Sequence, residues 1–203
     1  MHLSRRSFLG AATAAAGSAA AVYAASSRSS ATSELALASA SSRAGDVVGK
    51  ITVGYQGWFA CVGDHSPIDL WWHWSQNESQ PPSPSNNNLK AWPDMREYGK
   101  WYHTGYADLH NGDAADLFSS YDQSTVNAHF RWMQQHGCDT AALQRFNPDG
   151  GEGPIRDAMA AKVRAAAEAY GRKFYIMYDA TGWTNMATEM PADWTNKMSA
   201  YTS

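Results

Sequence analysis

Apolar positions along the chain fall into short continuous runs that alternate with longer periodic stretches. Within Val47 to Ala60, the run from Ile51 to Phe59 is rich in β-forming residues and predicts a strand. From Asp122 to His136, Val126, Phe130 and Met133 recur at helical spacing; Asp122 is placed to cap the start and Gly137 to end it. Asp139 to Phe146 then reads as a short buried strand. Pro154 to Tyr170 predicts a second helix, with Pro154 in its first turn. Ile155, Met159, Val163, Ala166 and Tyr170 share one face, and Gly171 follows. Lys173 to Ala180 is the clearest strand in the chain, and Ala192 to Tyr201 predicts a last helix. A shorter helix is expected at Pro93 to Tyr98, inside the long polar and aromatic excursion from Cys61 to Tyr121.

Strand, helix, strand, helix, strand, helix, with glycine shortly before each return strand, is the order of a parallel sheet wound by crossover helices. An open doubly wound sheet and the start of a (β/α)8 barrel both satisfy it. The open sheet usually places a glycine-rich phosphate loop after its first strand. Here that position is Gly57-Trp58-Phe59-Ala60-Cys61, which is bulky where a phosphate needs bare backbone. The expectation is therefore an α/β fold: the N-terminal part of a TIM barrel, about three β/α units, with a long Trp-rich loop after strand 1. A full barrel takes about 250 residues, so the chain is expected to end mid-fold. Val53, Ala142 and Ile176 are then expected to point inward with no opposite wall.

The first 44 residues carry a different pattern. Arg5-Arg6 precedes Phe8-Leu9, and an Ala-rich run follows from Ala11 to Ala25, as in a twin-arginine export signal. Its core is too short and too weakly apolar for a stable membrane span. Cleavage after Ala24 and cleavage after Ala40 both fit, and Ser26 to Arg43 reads as a Ser/Ala-rich linker. Residues 1–44 are thus expected to direct secretion by twin-arginine translocation, leaving 45–203 as the folded domain.

Hydrophobic residues make up 44% of the chain and charged residues 17%, which supports a folded core. Four of the 16 bases and one of the 19 acids lie in residues 1–44, so the remainder carries 12 bases and 18 acids. That acidic balance, with no basic stripe, argues against nucleic acid as a partner. Two cysteines exclude a disulfide scaffold and a Cys-rich zinc module. Cys61 follows the first strand and Cys138 precedes the second, at opposite ends of neighbouring parallel strands, so both are expected to be free thiols. No recognised metal-ligand spacing, Walker loop or nucleophile elbow is present; no cofactor and no metal are expected.

In a barrel, chemistry sits where strands end at their C-terminal side. Those ends carry Tyr55, Gln56 and Trp58; Gln144, Arg145 and Asn147; and Asp179, with Trp183 just beyond. Six of the nine tryptophans lie between Trp58 and Trp101, and Trp71-Trp72-His73-Trp74 is the densest group. Indole faces beside polar groups suit a pyranose ring, so an oligo- or polysaccharide is the expected partner. The substrate-binding candidates are Tyr55, Gln56, Trp58, Trp71, Trp72, His73, Trp74, Gln144, Arg145, Asp179 and Trp183. A purely structural role fits the same residues: Gln144 and Arg145 satisfying each other or loop carbonyls, Asp179 capping a turn, the tryptophans forming the excursion's own core. Glycosidases generally place two carboxylates about the scissile bond. Only Asp179 is well placed for this. Glu152 falls on a flexible loop, and Glu97, Glu168 and Glu189 on helix or loop surface.

Several segments in order resemble a known family: Val53-Gly54-Tyr55-Gln56-Gly57-Trp58-Phe59, Trp71-Trp72-His73-Trp74, Trp92-Pro93-Asp94-Met95-Arg96-Glu97-Tyr98, Leu117-Phe118-Ser119-Ser120-Tyr121-Asp122 and Tyr175-Ile176-Met177-Tyr178-Asp179. Together they resemble bacterial secreted proteins of the glycoside hydrolase family 71/99-like group, often labelled xylosidase-like and similar to endo-α-mannosidase and α-1,3-glucanase barrels. The resemblance spans about Val47 to Trp194. It implies a (β/α)8 barrel that hydrolyses glycans, with paired glutamates in a Glu-x-x-Glu motif in the C-terminal half. This sequence contains no Glu-x-x-Glu, so its catalytic residues stay unassigned apart from Asp179. The alternative function is a non-catalytic carbohydrate-binding protein or a truncated remnant.

The twin-arginine route reads the arginine pair itself rather than its charge. Replacing Arg5 and Arg6 together by Lys is expected to block translocation, scored as loss of the protein from the culture medium. Normal secretion of the double variant would show an address of another type.

Overall fold

A computed structural model describes residues 47–201; the export signal and linker assigned to residues 1–44 lie outside them. The described chain is mixed α/β. Its main sheet has three strands, β1 (Thr52–Tyr55), β4 (Thr140–Arg145) and β5 (Lys173–Tyr178), in the order β1-β4-β5. Both pairings are parallel, with Val53 opposite Ala141 and Leu143 opposite Ile176. A separate antiparallel pair, β2 (Tyr102–His103) and β3 (Asp116–Leu117), lies in the excursion.

Helix α1 (Gln123–Gln135) fills the connection from β1 to β4, and α2 (Gly153–Tyr170) the one from β4 to β5. Both follow the periodic stretches read from the sequence, and both end in the same way. Gly137 and Gly171 take the left-handed conformation that costs glycine nothing, at φ 71° and 59°. The next residue's N–H then reaches back into the last turn: Cys138 to the Met133 carbonyl at 2.8 Å, Arg172 to that of Ala167 at 2.9 Å. Each helix can therefore turn into its strand within a few residues. The start of α1 departs from expectation. Asp122 makes no side-chain cap; its carboxylate instead accepts from Lys100 Nζ at 2.9 Å and Tyr102 Oη at 2.8 Å.

The last helix begins earlier than the sequence suggests. Helix α3 runs from Met186 to Asp193 with Pro191 inside it, then loosens into a π turn over Trp194–Met198 and a 3₁₀ turn over Ser199–Tyr201. The short helix expected at Pro93 to Tyr98 is a 3₁₀ turn, Met95–Glu97, capped by Asp94.

One core joins the helices to one face of the sheet. Val126, Phe130 and Met133 of α1 and Met159, Ala160 and Val163 of α2 pack on Tyr55, Ala141 and Leu143, with Val53, Phe174, Ile176 and Tyr178 at its margin. This corrects the expected inward set. Val53 and Ile176 face the helices, whereas Ala142 lies on the other face, which also carries Gly54, Gln144, Tyr175 and Met177. On that face Tyr175 and Met177 remain 40% and 37% exposed. Side chains alternate with period two, so one position of offset between neighbouring strands exchanges the faces.

A second core belongs to the excursion. Cys61, Trp71, Trp74, Tyr98, Leu117 and Phe118 form its buried centre. Buried Asp64 ties it together, accepting from Cys61 N at 2.9 Å, Ser66 N at 2.7 Å and Ser119 Oγ at 2.5 Å. Both cysteines are free; Cys61 is buried with its Sγ 3.4 Å from the Phe118 carbonyl oxygen. Among the described residues no helix is long and apolar enough to cross a membrane.

The main sheet is locked to its helices by one buried ion pair. Arg145 projects from β4 on the helix side and is 2% exposed. Its Nε and Nη2 donate to the two Asp193 oxygens of α3, each at 2.6 Å, and Nη2 also donates to Asp157 of α2 at 2.6 Å. Removing one partner of a buried pair strands the other charge, which costs about 3 kcal/mol or more. Asp193→Ala should therefore destabilise the protein by about 3 kcal/mol in urea unfolding. Asp157→Ala should cost clearly less, because that carboxylate is 39% exposed. Equal costs would show that the network is not the buried tie described here.

Candidate functional site

The C-terminal ends of β1, β4 and β5 lie on one edge of the sheet because all three strands run parallel. Beyond β1 the chain must turn sharply. Gly57 does so at φ 59°, and a Cβ there would lie 2.8 Å from Met159 Cε. The turn delivers Trp58 above the strand ends. Its indole stacks on the His73 imidazole with ring centres 4.3 Å apart and on the Phe146 ring at 6.0 Å. His73 is itself held at φ 63°, a left-handed conformation unusual for a residue with a side chain. Trp72 meets the His73 ring edge-on at 5.5 Å.

Glu152 completes this cluster. It precedes α2 in the loop that Gly153 closes, where a Cβ would run into the Pro148 carbonyl. One of its carboxylate oxygens, Oε2, accepts from both Nε, at 2.8 Å, and Nη2 of Arg156, one turn along. His73 Nε2 approaches Glu152 Oε1 at 3.4 Å. Arg156 is buried, donates also to the Gln56 carbonyl, and lies over the Phe146 ring with its guanidinium carbon 5.0 Å from the centre. Burial opposes the charge on Glu152, but His73, the Arg156 charge and Trp72 outweigh it and hold the carboxyl down to about 2. The nitrogens of the Trp58 and Trp72 indoles and His73 Nε2 are buried without a well-formed hydrogen bond. The cluster therefore offers flat rings beside an ionised carboxylate, which suit a ligand that is polar at its edge and apolar on its face.

The other expected residues are distributed between a second rim pair and the cores. Gln144, on the bare face, donates to Asp179 Oδ2 at 2.6 Å, and Asp179 Oδ1 accepts from Thr181 N at 2.9 Å. The Thr181 hydrogen bonds, then Gln144, lower the Asp179 pKa. Gln56 is exposed at the same end of β1. Trp71 and Trp74 are in the excursion core, where the Trp74 N–H donates to the Phe118 carbonyl at 3.0 Å. Trp183 is buried against Glu189, its N–H donating at 2.5 Å. Arg145 is committed to Asp193 and Asp157 on the helix face.

Tyr55 also turns to the helix side, into a buried hydrogen-bonded chain. Its hydroxyl lies 3.0 Å from His129 Nδ1, and the Tyr98 hydroxyl lies 2.8 Å from His129 Nε2. Burial lowers the His129 pKa to about 4, so the ring is neutral and one tyrosine donates to it while the other accepts. Burial raises both tyrosines, which stay protonated.

Sequence reasoning set Glu152 aside as a flexible-loop residue, whereas it is held by Arg156 and His73, and it missed Arg156 and Phe146. The one local signal was Glu152 and Arg156 at i, i+4 opening a helix, a spacing common on ordinary helix surfaces. Among the described residues no group of three or more His, Cys, Asp or Glu could hold a metal ion. Neither a protein-family model nor a curated protein matches the chain.

Glu152 and His129 act in successive pH windows that meet near pH 4. Glu152 has a folded value of about 2 against 4.5 for the free group, so it stabilises the fold above 4.5 and loses that contribution as pH falls toward 2. His129, at about 4 against 6.5, contributes fully above 6.5 and loses its contribution as pH falls to 4. Urea unfolding across pH should show Glu152→Gln flattening only the lower window and His129→Gln only the upper. A Glu152→Gln profile parallel to wild type throughout would refute the ion-paired cluster.

Proposed function

We propose that this is an exported glycan-degrading protein of glycoside hydrolase type, in which the described chain supplies the sugar-binding rim. The observation that carries the reading is the Trp58 indole, stacked on His73 beside the ionised Glu152 at the C-terminal ends of three parallel strands. An indole face matches the C–H face of a sugar ring, and a neighbouring carboxylate accepts from its hydroxyls. The resemblance to the glycoside hydrolase family 71/99-like group supports the same reading, and the Arg5-Arg6 signal read from the sequence adds secretion by the twin-arginine route. A (β/α)8 barrel is the architecture proposed with it. Its support is the sequential parallel order β1-β4-β5 with helices on one face and a bare opposite face, where a barrel would have its interior.

A specific observation favours a second reading, glycan binding without hydrolysis by this chain. Hydrolysis needs a protonated carboxyl to assist the leaving group. Glu152 and Asp179 are both shifted toward ionisation, the wrong direction for that role.

Protein purified from the medium should bind at least one of a panel of xylan, mannan and glucan oligosaccharides. Trp58→Ala should weaken that binding about tenfold, the loss of one stacked ring; release of reducing sugar by the wild type supports the first reading, and binding without release supports the second. No binding to any glycan, or binding indifferent to Trp58→Ala, would overturn the rim. Hydrolysis abolished by Glu152→Gln or Asp179→Asn would overturn the second reading and place chemistry here.

A further inference from the structure

The excursion contains a cavity of about 620 Å³ that shares no residue with the rim cluster. It opens between the Met95–Glu97 turn and the loop joining β2 to β3. We infer that it is a second, non-catalytic binding site for a neutral oligosaccharide, an inference that rests on the glycan reading above.

Trp101 is the first ground. It lines the cavity and is 55% exposed, the most exposed tryptophan among the described residues. Nothing in the aromatic packing of the excursion claims its face. Trp92 supplies a second indole, held from behind by its N–H to the Asp116 carbonyl at 3.1 Å and by an edge contact with Tyr106 at 5.2 Å. One ring is thus fixed and the other is open.

The polar groups are the second ground. Asp94 and Arg96 form a bidentate pair, with Nε donating to Oδ1 at 2.8 Å and Nη2 to Oδ2 at 2.5 Å. Across the cavity Asn111 Nδ2 donates to Asp113 Oδ2 at 2.7 Å. Each pair presents a donor edge beside an acceptor edge, and both are exposed. Vicinal hydroxyls, which both donate and accept, fit such edges. The lining is acidic on balance, with Asp94, Asp113 and Asp116 against Arg96, which disfavours phosphate, sulfate and nucleic acid. The volume lies in the range of small-ligand sites.

Substitution at Trp101 is benign for folding because the side chain is largely in water. The test is a tryptophan-fluorescence titration of the full chain with maltotriose, cellotriose, mannotriose and xylotriose. Wild type, Trp101→Ala, Asp113→Asn and Trp58→Ala are compared. The expected result is saturable binding of at least one trisaccharide, about tenfold weaker in Trp101→Ala, weakened in Asp113→Asn, and retained at this site in Trp58→Ala. Binding lost in Trp58→Ala but unchanged in Trp101→Ala overturns this site and leaves the rim intact. The converse leaves this site standing and removes the rim. Binding of none of the four overturns the site. So does a response to calcium alone that Asp113→Asn abolishes, since the cavity would then be a cation site.

Discussion

A guanidinium with 2% of its side chain in water needs acceptors on several sides; Nε and Nη2 of Arg145 find theirs on two helices, and Nη1 is buried without one. That requirement organises the described fold. Asp193 must come from α3 and Asp157 from α2, so both helices are drawn to the same face of β4. Tyr178 of β5 donates to the same Asp193 at 2.7 Å, and Lys197 of the π turn reaches Asp157 at 2.7 Å. Two strands, two helices and the turn beyond them converge on one charge. An apolar residue at 145 would pack on the helices too, but it would not specify which turn of α3 faces the sheet.

The rim depends on this arrangement indirectly. With Arg145 facing the helices, Gln144 faces the other way and is free to meet Asp179. With α2 fixed by Asp157, its first turn holds Arg156 under Trp58 and Phe146, and Arg156 holds Glu152. The same helix buries Met159 beneath Gly57, which closes the turn that carries Trp58. Core and rim are thus set by successive turns of one helix.

The sequence made the strands and helices legible where periodicity was long or a left-handed glycine ended it, as at Gly137 and Gly171. It was less informative at α3, where Pro191 suggests a boundary yet sits inside the helix. It misled on facing: Ala142 looks equivalent to Val53 until the register, Val53 opposite Ala141, is known. The site was half legible. Trp58, Trp72 and His73 stood out by composition, but Glu152 meets His73 across 79 positions of sequence, and no local pattern announces such a meeting. Arg145 looked like a rim residue because it ends a strand; only its burial shows where it points.

His73 has a further consequence. Its backbone is held at φ 63° while its ring lies flat against Trp58, so the chain orders both rings within its own fold. A ligand meeting this surface does not have to freeze a mobile indole. The rotational freedom has already been given up in folding, and association keeps more of its contact energy as affinity. For the glycan proposed above, affinity at this surface would then be set by how fast the ligand leaves rather than by rearrangement before it arrives.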